Sequence, residues 1–412
     1  MILLYEGTYA LDRLSPNGIA PFGPELDELP FFDEKYEKRV PFKLSNIALK
    51  RSGFKGGHGR LGIADPVMFE KIRALIKASG KTVCPSVTLK DQSVLLFINK
   101  HIRNGIIHEE LGSGSTKRAR LAIKIDSQGE VTFFANLKSK MTHWFELRET
   151  FTEYDITTEI PNRDQILTNA APVIYKGKKR QVSVLSELGS PLSIHTLDAL
   201  LDKLPQMAAP LLILEQQGIC HNDVKIQNYI VDTNGTIKLI DFGISKTKKY
   251  DFRREQKGGT FLPIELLPSR ETAIAPDKID TWGLMLTAAG LIPLNDYYVG
   301  LSQQDSDTLT QWAPPGFIAT YNQTHYINTH LSISKDTGHL FLENLRTFIT
   351  MSLLKSDDIL RRALGDCMLG ALAPAAERLT MARLLDMPLF ALLNSRSNNT
   401  VKNQDLISPR AE

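Results

Sequence analysis

Hydrophobic and polar positions divide this chain into an amino-terminal part without a period, a stretch of short alternating runs, and a longer stretch with helical spacing. From Ser15 to Lys43, prolines and acids interrupt every pattern, which predicts an extended arm over residues 1–45. Asp65 stands at an N-cap position, Pro66 at the first helical position and Gly80 at the stop. Val67, Ile72, Leu75 and Ile76 recur between them, predicting an amphipathic helix. The apolar run 93–98 predicts a strand behind it, so residues 46–105 are expected to form a small accessory or regulatory unit. Runs at 106–111, 119–125 and 131–137, with a turn at 126–130, predict strands and a hairpin. A helix is expected around 144–154, then strands at 172–175 and 181–185. Beyond residue 195 the spacing becomes helical at 197–204, 207–217, 279–291, 340–353, 358–371 and 381–393, so the fold class is α+β, strands first and helices second. The polar tail 394–412 is expected to be disordered.

Composition narrows the function classes. With 42% hydrophobic and 23% charged residues, the 412-residue chain is built to pack. A net charge of +3 is too small to make nucleic acid the expected partner. Cys84, Cys220 and Cys367 are odd in number and far apart, which fits a reducing, cytoplasmic setting better than a disulfide framework. The longest apolar run, 208–214, is about a third of the roughly 20 residues a bilayer span needs, so no membrane span is expected. The basic glycine-rich stretch 50–60 matches no phosphate-loop spacing and is read as a connector. The histidines 58, 108, 143, 195, 325, 330 and 339 form no pair at metal-ligand spacing.

The segment with the most chemistry is Cys220-His-Asn-Asp-Val-Lys-Ile-Gln-Asn228, followed by a strand, a turn, a strand and Asp241-Phe-Gly243. Phosphoryl transfer calls for a carboxylate at the acceptor hydroxyl, a cation at the transferred phosphate and oxygen ligands for magnesium. Asp223 and Lys225 fit the first two roles, and Asn228 with Asp241 supplies hard oxygen donors. The segment resembles the eukaryotic-type protein kinase superfamily, whose catalytic loop reads H-R-D-x-x-x-x-N and whose metal loop reads D-F-G. Asp280-Thr-Trp-Gly and the closing Pro374-Ala-Ala-Glu-Arg378-Leu-Thr follow in the family's order, and the resemblance covers residues 106–393.

What the resemblance implies is a two-lobed fold, with a β-rich lobe at 106–188, a helical lobe at 189–393 and an insertion at about 300–337. It implies an ATP- and magnesium-dependent Ser/Thr protein kinase, with Lys225 the feature favouring Ser/Thr acceptors. Gly112 and Gly114 would cover the phosphates. Lys138 would position them with Glu153; Lys140 and Lys124 are the other candidate lysines, and Glu149 and Glu159 the other glutamates. Glu187 and Leu188 would hold the adenine through their backbone, with Ser186 behind it. Asp280 would tie down the catalytic loop, and Arg378 would pair with Glu265. Asn222 replaces the family's arginine, so activity independent of loop phosphorylation is expected. A protein substrate is implied, and the amino-terminal region or the insertion is the candidate seat of a regulatory partner. In style the chain also resembles kinases that bacteria secrete into a host cytosol. A partner-binding pseudokinase and a small-molecule phosphotransferase are the alternative readings.

Overall fold

The computed structural model describes residues 42–43, 47–50, 61–78, 83–84, 86–88, 93–98, 101–103, 106–108, 111–113, 117–139, 156, 183–232, 234–247, 263, 276–289, 343 and 345–396. The chain divides into two compact units, one of residues 1–164 with 168–189, the other of 165–167 with 190–412.

In the first unit the described elements are β1 (Phe42–Lys43), β2 (Ile47–Leu49), β3 (Leu61–Ile63), α1 (Pro66–Ala78), β4 (Val83–Cys84), β5 (Ser86–Thr88), β6 (Val94–Ile98), β7 (His101–Arg103), β8 (Ile106–His108), β9 (Gly112–Ser113), β10 (Lys117–Ile125), β11 (Val131–Ser139) and β12 (Ser183–Glu187). One antiparallel sheet runs β12-β11-β10-β6-β5, and β9 pairs with the start of β10. β10 and β11 are joined at Asp126, whose Oδ1 accepts the N–H groups of Gln128 and Glu130 at 2.8 and 2.9 Å. Gly129 follows at φ +88°, and a Cβ there would lie 2.5 Å from the Gly62 carbonyl oxygen, so only glycine lets this turn sit on β3.

α1 begins as its sequence dictates, with Val67 N–H donating to Asp65 Oδ1 at 2.8 Å. Its buried stripe is Ile72 and Ile76, flanked by Met68, Phe69 and Leu75, and these pack on Val94, Leu96, Ile98, Leu121, Ile123 and Ile125 of the sheet. Val67, expected on that stripe, is 76% exposed, because it lies a turn's fraction off the 68/69, 72, 75/76 row. The stretch expected as an accessory unit thus shares its core with the sheet: β5 and β6 are strands of it, and α1 covers one face. The first long partner of β10 is β6, and of the expected strand at 106–111 residues 106–108 form β8, which pairs with β7. The expected helix at 144–154 and strand at 172–175 lie outside the described residues.

The second unit contains β13 (Ser190–Pro191), α2 (Leu197–Gln216), β14 (Ile219–Cys220), β15 (Tyr229–Val231), β16 (Ile237–Leu239), β17 (Lys246–Thr247), α3 (Ile279–Ala289), α4 (Ile359–Ala371) and α5 (Met381–Leu385). α2 is one helix where two were expected. Pro205 and Pro210 remove two backbone donors from it, yet its buried row of Leu200, Leu201, Leu204, Met207, Ala208, Leu211 and Leu214 keeps it continuous. α3 is buried at every residue and forms the centre of this unit. The expected helix 381–393 is interrupted at Asp386 and Met387, and helical structure then runs to residue 396, into the tail expected to be disordered.

Candidate functional site

In the second unit, β14 leads into the loop His221–Lys225, a short 3-10 turn at Ile226–Asn228 follows, and the hairpin β15–β16 returns the chain to Asp241. The hairpin places Asn228 and Asp241 at the same end, and Ile240 N–H donates to the Asn228 carbonyl at 2.8 Å.

Asp280, at the start of α3, holds the loop backbone. Its Oδ2 accepts from His221 N–H at 2.7 Å, and its Oδ1 accepts from Asn222 N–H at 2.9 Å and from the Cys220 thiol at 3.4 Å. Burial pushes the Asp280 carboxyl above its ordinary pKa, opposed by His221 and by the N–H groups of His221 and Asn222. Gly283 lets α3 approach the loop, since a Cβ there would lie 3.0 Å from Val224 Cβ. The buried Arg378 stacks on Trp282, its guanidinium 4.6 Å from the ring centre, and donates from Nε to the Ala373 carbonyl. Glu265, its expected partner, lies outside the described residues.

His221 is fully buried and donates from Nε2 to the Ile240 carbonyl at 3.0 Å, while its Nδ1 accepts from Asp223 N–H at 3.3 Å. Those two bonds fix the tautomer with the proton on Nε2. Its ring meets Phe242 edge to face, with centroids 5.2 Å apart. Asp223 is buried, and its Oδ2 accepts from Lys225 Nζ at 2.7 Å and from Asn228 Nδ2 at 3.0 Å. Asn228 Nδ2 also reaches the Asp223 carbonyl at 2.8 Å, so the amide nitrogen is committed to Asp223 and the amide oxygen is turned the other way. An amide oxygen from Asn228 and a carboxylate from Asp241 make a hard, oxygen-only donor pair, which fits magnesium when substrate phosphates and water complete the shell. Among the described residues no group of three or more His, Cys, Asp or Glu gathers as a metal cage.

Asn222 and Asp241 adopt the left-handed backbone region at φ 66° and 69°. Such conformations cost about 1–2 kcal/mol each outside glycine, and asparagine and aspartate bear them best. The side chain of Asn222, present where the family has arginine, donates to the Ile244 carbonyl at 3.3 Å, and Ser245 Oγ donates to the His221 carbonyl at 3.2 Å. With Cys220 paired to Lys246 in β14–β17, the stretch after Asp241 is fastened to the loop at several points. Asn222, in sequence only a lost cation, and Ser245, which no motif marks, both fasten this loop. Asparagine directly before the aspartate, where a left-handed residue is favourable, was the available signal.

In the first unit, strand register orders the expected nucleotide residues. Lys138 pairs with Arg118 on β10 and with Ser183 on β12, and Arg118 also pairs with Ser113, next to Gly112. Lys138 therefore lies level with the start of the glycine segment. Lys124 is on the same face but pairs with Thr132, at the far end of the hairpin. Glu187, the last residue of β12, pairs with Phe134, and half-buried Leu188 packs against the core. In the same register Ser186 pairs with Ala135 and Leu185 with Asn136. Gly114, Lys140, Glu149, Glu153 and Glu159 lie outside the described residues.

A family model described as protein kinase domain matches residues 106–345, more than half of the chain. The chain belongs to the protein kinase family. Kinases from other organisms align over shorter stretches. Mitogen-activated protein kinase kinase kinase 3 of Arabidopsis thaliana is 33% identical over 96 residues, 22% of this chain and 17% of that protein. The Aurora kinase of Eremothecium gossypii is 40% identical over 81 residues, 19% of this chain and 21% of that protein. Serine/threonine-protein kinase cek1 of Schizosaccharomyces pombe is 35% identical over 79 residues, 19% of this chain and 6% of that protein. The chain thus spans less than a quarter of the length of these kinases. No helix among the described residues is long and apolar enough to cross a membrane.

Proposed function

We propose that this kinase-family chain is an ATP- and magnesium-dependent protein kinase that phosphorylates Ser or Thr of protein substrates. The observation that carries this reading is the buried Asp223 carboxylate, held by Lys225 at 2.7 Å and Asn228 at 3.0 Å on a loop that Asp280 anchors. A chain that had abandoned chemistry would have no reason to keep this charged, strained arrangement, whose parts cost folding energy. The relative described as a serine/threonine-protein kinase, together with Lys225, supports the choice of acceptor.

Asp223 orients the acceptor hydroxyl and takes its proton as the oxygen attacks the γ-phosphorus. The bond from that phosphorus to the β–γ bridging oxygen breaks, and ADP leaves with the electron pair. Lys225 passes from its contact with Asp223 to the transferring phosphoryl group, offsetting its charge. Asn228 and Asp241 would hold the metal, which would supply charge neutralisation to the phosphates. Gly112 and Gly114 cover the phosphates, Lys138 with Glu153 positions them, and the backbone of Glu187 and Leu188 receives the base. We also assign this activity to a two-lobed kinase domain acting in a cytoplasmic setting.

The test is transfer of labelled phosphate from ATP with magnesium to a generic basic protein and to the chain itself. The parent is expected to label Ser or Thr, and Asp223→Asn to lower the rate about 10³-fold, within the range for loss of a general base, with its melting temperature nearly unchanged. An Asp223→Asn variant as active as the parent would refute the assignment. If ATP raises the parent's melting temperature but no phosphate moves, the chain is a nucleotide-binding scaffold instead.

A further inference from the structure

We infer that Asn136 reads the nucleoside part of the bound nucleotide, by accepting a hydrogen bond from one of its donors. The inference rests on the nucleotide-binding reading above and adds a specificity residue to it. Asn136 is a β11 residue, 3% exposed, and its Oδ1 is buried with no hydrogen-bond partner. A buried amide oxygen left unsatisfied destabilises a fold, and an aliphatic side chain on the same strand would carry no such penalty. An acceptor retained there is open to a donor that arrives with a ligand.

Register indicates which part of the ligand this is. Asn136 lies on the same sheet face as Lys138, two residues along β11, and its cross-strand neighbours are Arg120 and Leu185. Two residues further along, Phe134 is level with Glu187. On the nucleotide reading, phosphates lie at the level of Lys138 and the glycine segment, and the base lies at Glu187 and Leu188. Asn136 stands midway, about 7 Å along the strand from either level at roughly 3.4 Å per residue. That is the level of the nucleoside. Its Oδ1 can accept only from an N–H or O–H group, which in adenosine means the exocyclic amine of the base or a ribose hydroxyl.

The experiment compares dissociation constants, by calorimetry on the full chain with magnesium, for ATP, purine riboside triphosphate, 2′-deoxyATP and 3′-deoxyATP. The analogues lack the amine, the 2′-hydroxyl and the 3′-hydroxyl respectively. The parent is expected to prefer ATP to one of these about tenfold, and Asn136→Ala to lose that preference by weakening ATP while leaving that analogue unchanged. The analogue that loses its handicap identifies the donor. Melting without nucleotide should be little changed in Asn136→Ala, and Asn136→Leu, which fills the volume, serves as the second variant. A preference that survives both substitutions overturns the inference, as does a parent that binds all four nucleotides equally. A parent that binds none of them overturns the nucleotide reading itself, and this inference with it.

Discussion

The two units position their candidate functional residues by different means. In the second, Asp223, Lys225, Asn228 and Asp241 lie within nineteen positions of one another, joined by a short turn and a tight hairpin, and side-chain contacts fix most of them. In the first, Gly112, Lys138 and Glu187 come from three strands spread over seventy-five positions, and only sheet register relates them. A locally encoded site survives in a motif; a register-encoded one depends on everything that sets the register, including residues far outside the motif.

The largest effect should follow from removing what sets that register. The family match begins at residue 106, but β10 pairs with β6 over Leu121–Ile125, and α1 covers the same strands. A chain beginning at Ile106 would expose Leu121, Ile123 and Ile125 and leave an unpaired strand edge. We expect it to aggregate or to lose stabilisation by ATP entirely. Calorimetric melting with and without ATP decides the matter, and a truncated chain that binds ATP as the parent does would show that residues 46–105 are dispensable after all.

The next effect separates the two lysines of one sheet face. Lys138→Met is expected to lower kcat/KM about 10²-fold, the scale for losing one preorganised charge contact at a reacting phosphate. Lys124→Met should stay within about threefold, because its register places it six residues from Lys138's level, roughly 20 Å along the hairpin. Reversed magnitudes in steady-state kinetics would mean that β10, not β11, presents the lysine.

Sequence alone conveyed the second unit's site well, because H-x-D-x-x-x-x-N and D-F-G combine residue type with short spacing that two strands can satisfy in only one way. It also conveyed the start of α1, where Asp65 and Pro66 leave little choice. It could not show that β6 belongs to the sheet of β10, since the pairing of Leu121 with Ile98 spans the inserted hairpin β7–β8. One residue of register moves a side chain to the other face, so nothing local in the sequence decides between Leu185 and Ser186 as the residue behind the base. The continuity of α2 through two prolines was also hidden, because the apolar row that sustains it is buried by partners distant in sequence.

The smallest effect tests whether the second unit's local encoding rests on its hairpin turn. Asp232 closes β15–β16, accepting from Asn234 N–H at 2.8 Å and Thr236 N–H at 2.9 Å, with Lys238 Nζ at 3.3 Å. Burial alone would raise its pKa, but the N–H groups of Thr236 and Asn234 and the Lys238 ammonium together hold it below the ordinary aspartate value. A depressed folded pKa contributes stability above the unfolded value of about 4, and that contribution disappears as pH falls through the folded value. Asp232→Asn should therefore cost about 1–2 kcal/mol at pH 7 through the loss of charge-assisted hydrogen bonds. The gap between parent and variant should close progressively below about pH 4, where the parent's carboxyl takes up its proton. Denaturant melts at both pH values measure it, and a gap that persists undiminished in acid would mean that the turn is held by shape, with its charge contributing nothing. Phosphate transfer should change less than threefold in this variant, since Asp232 touches none of the reacting groups and the hairpin's far end is already fixed by the bond from Ile240 to Asn228.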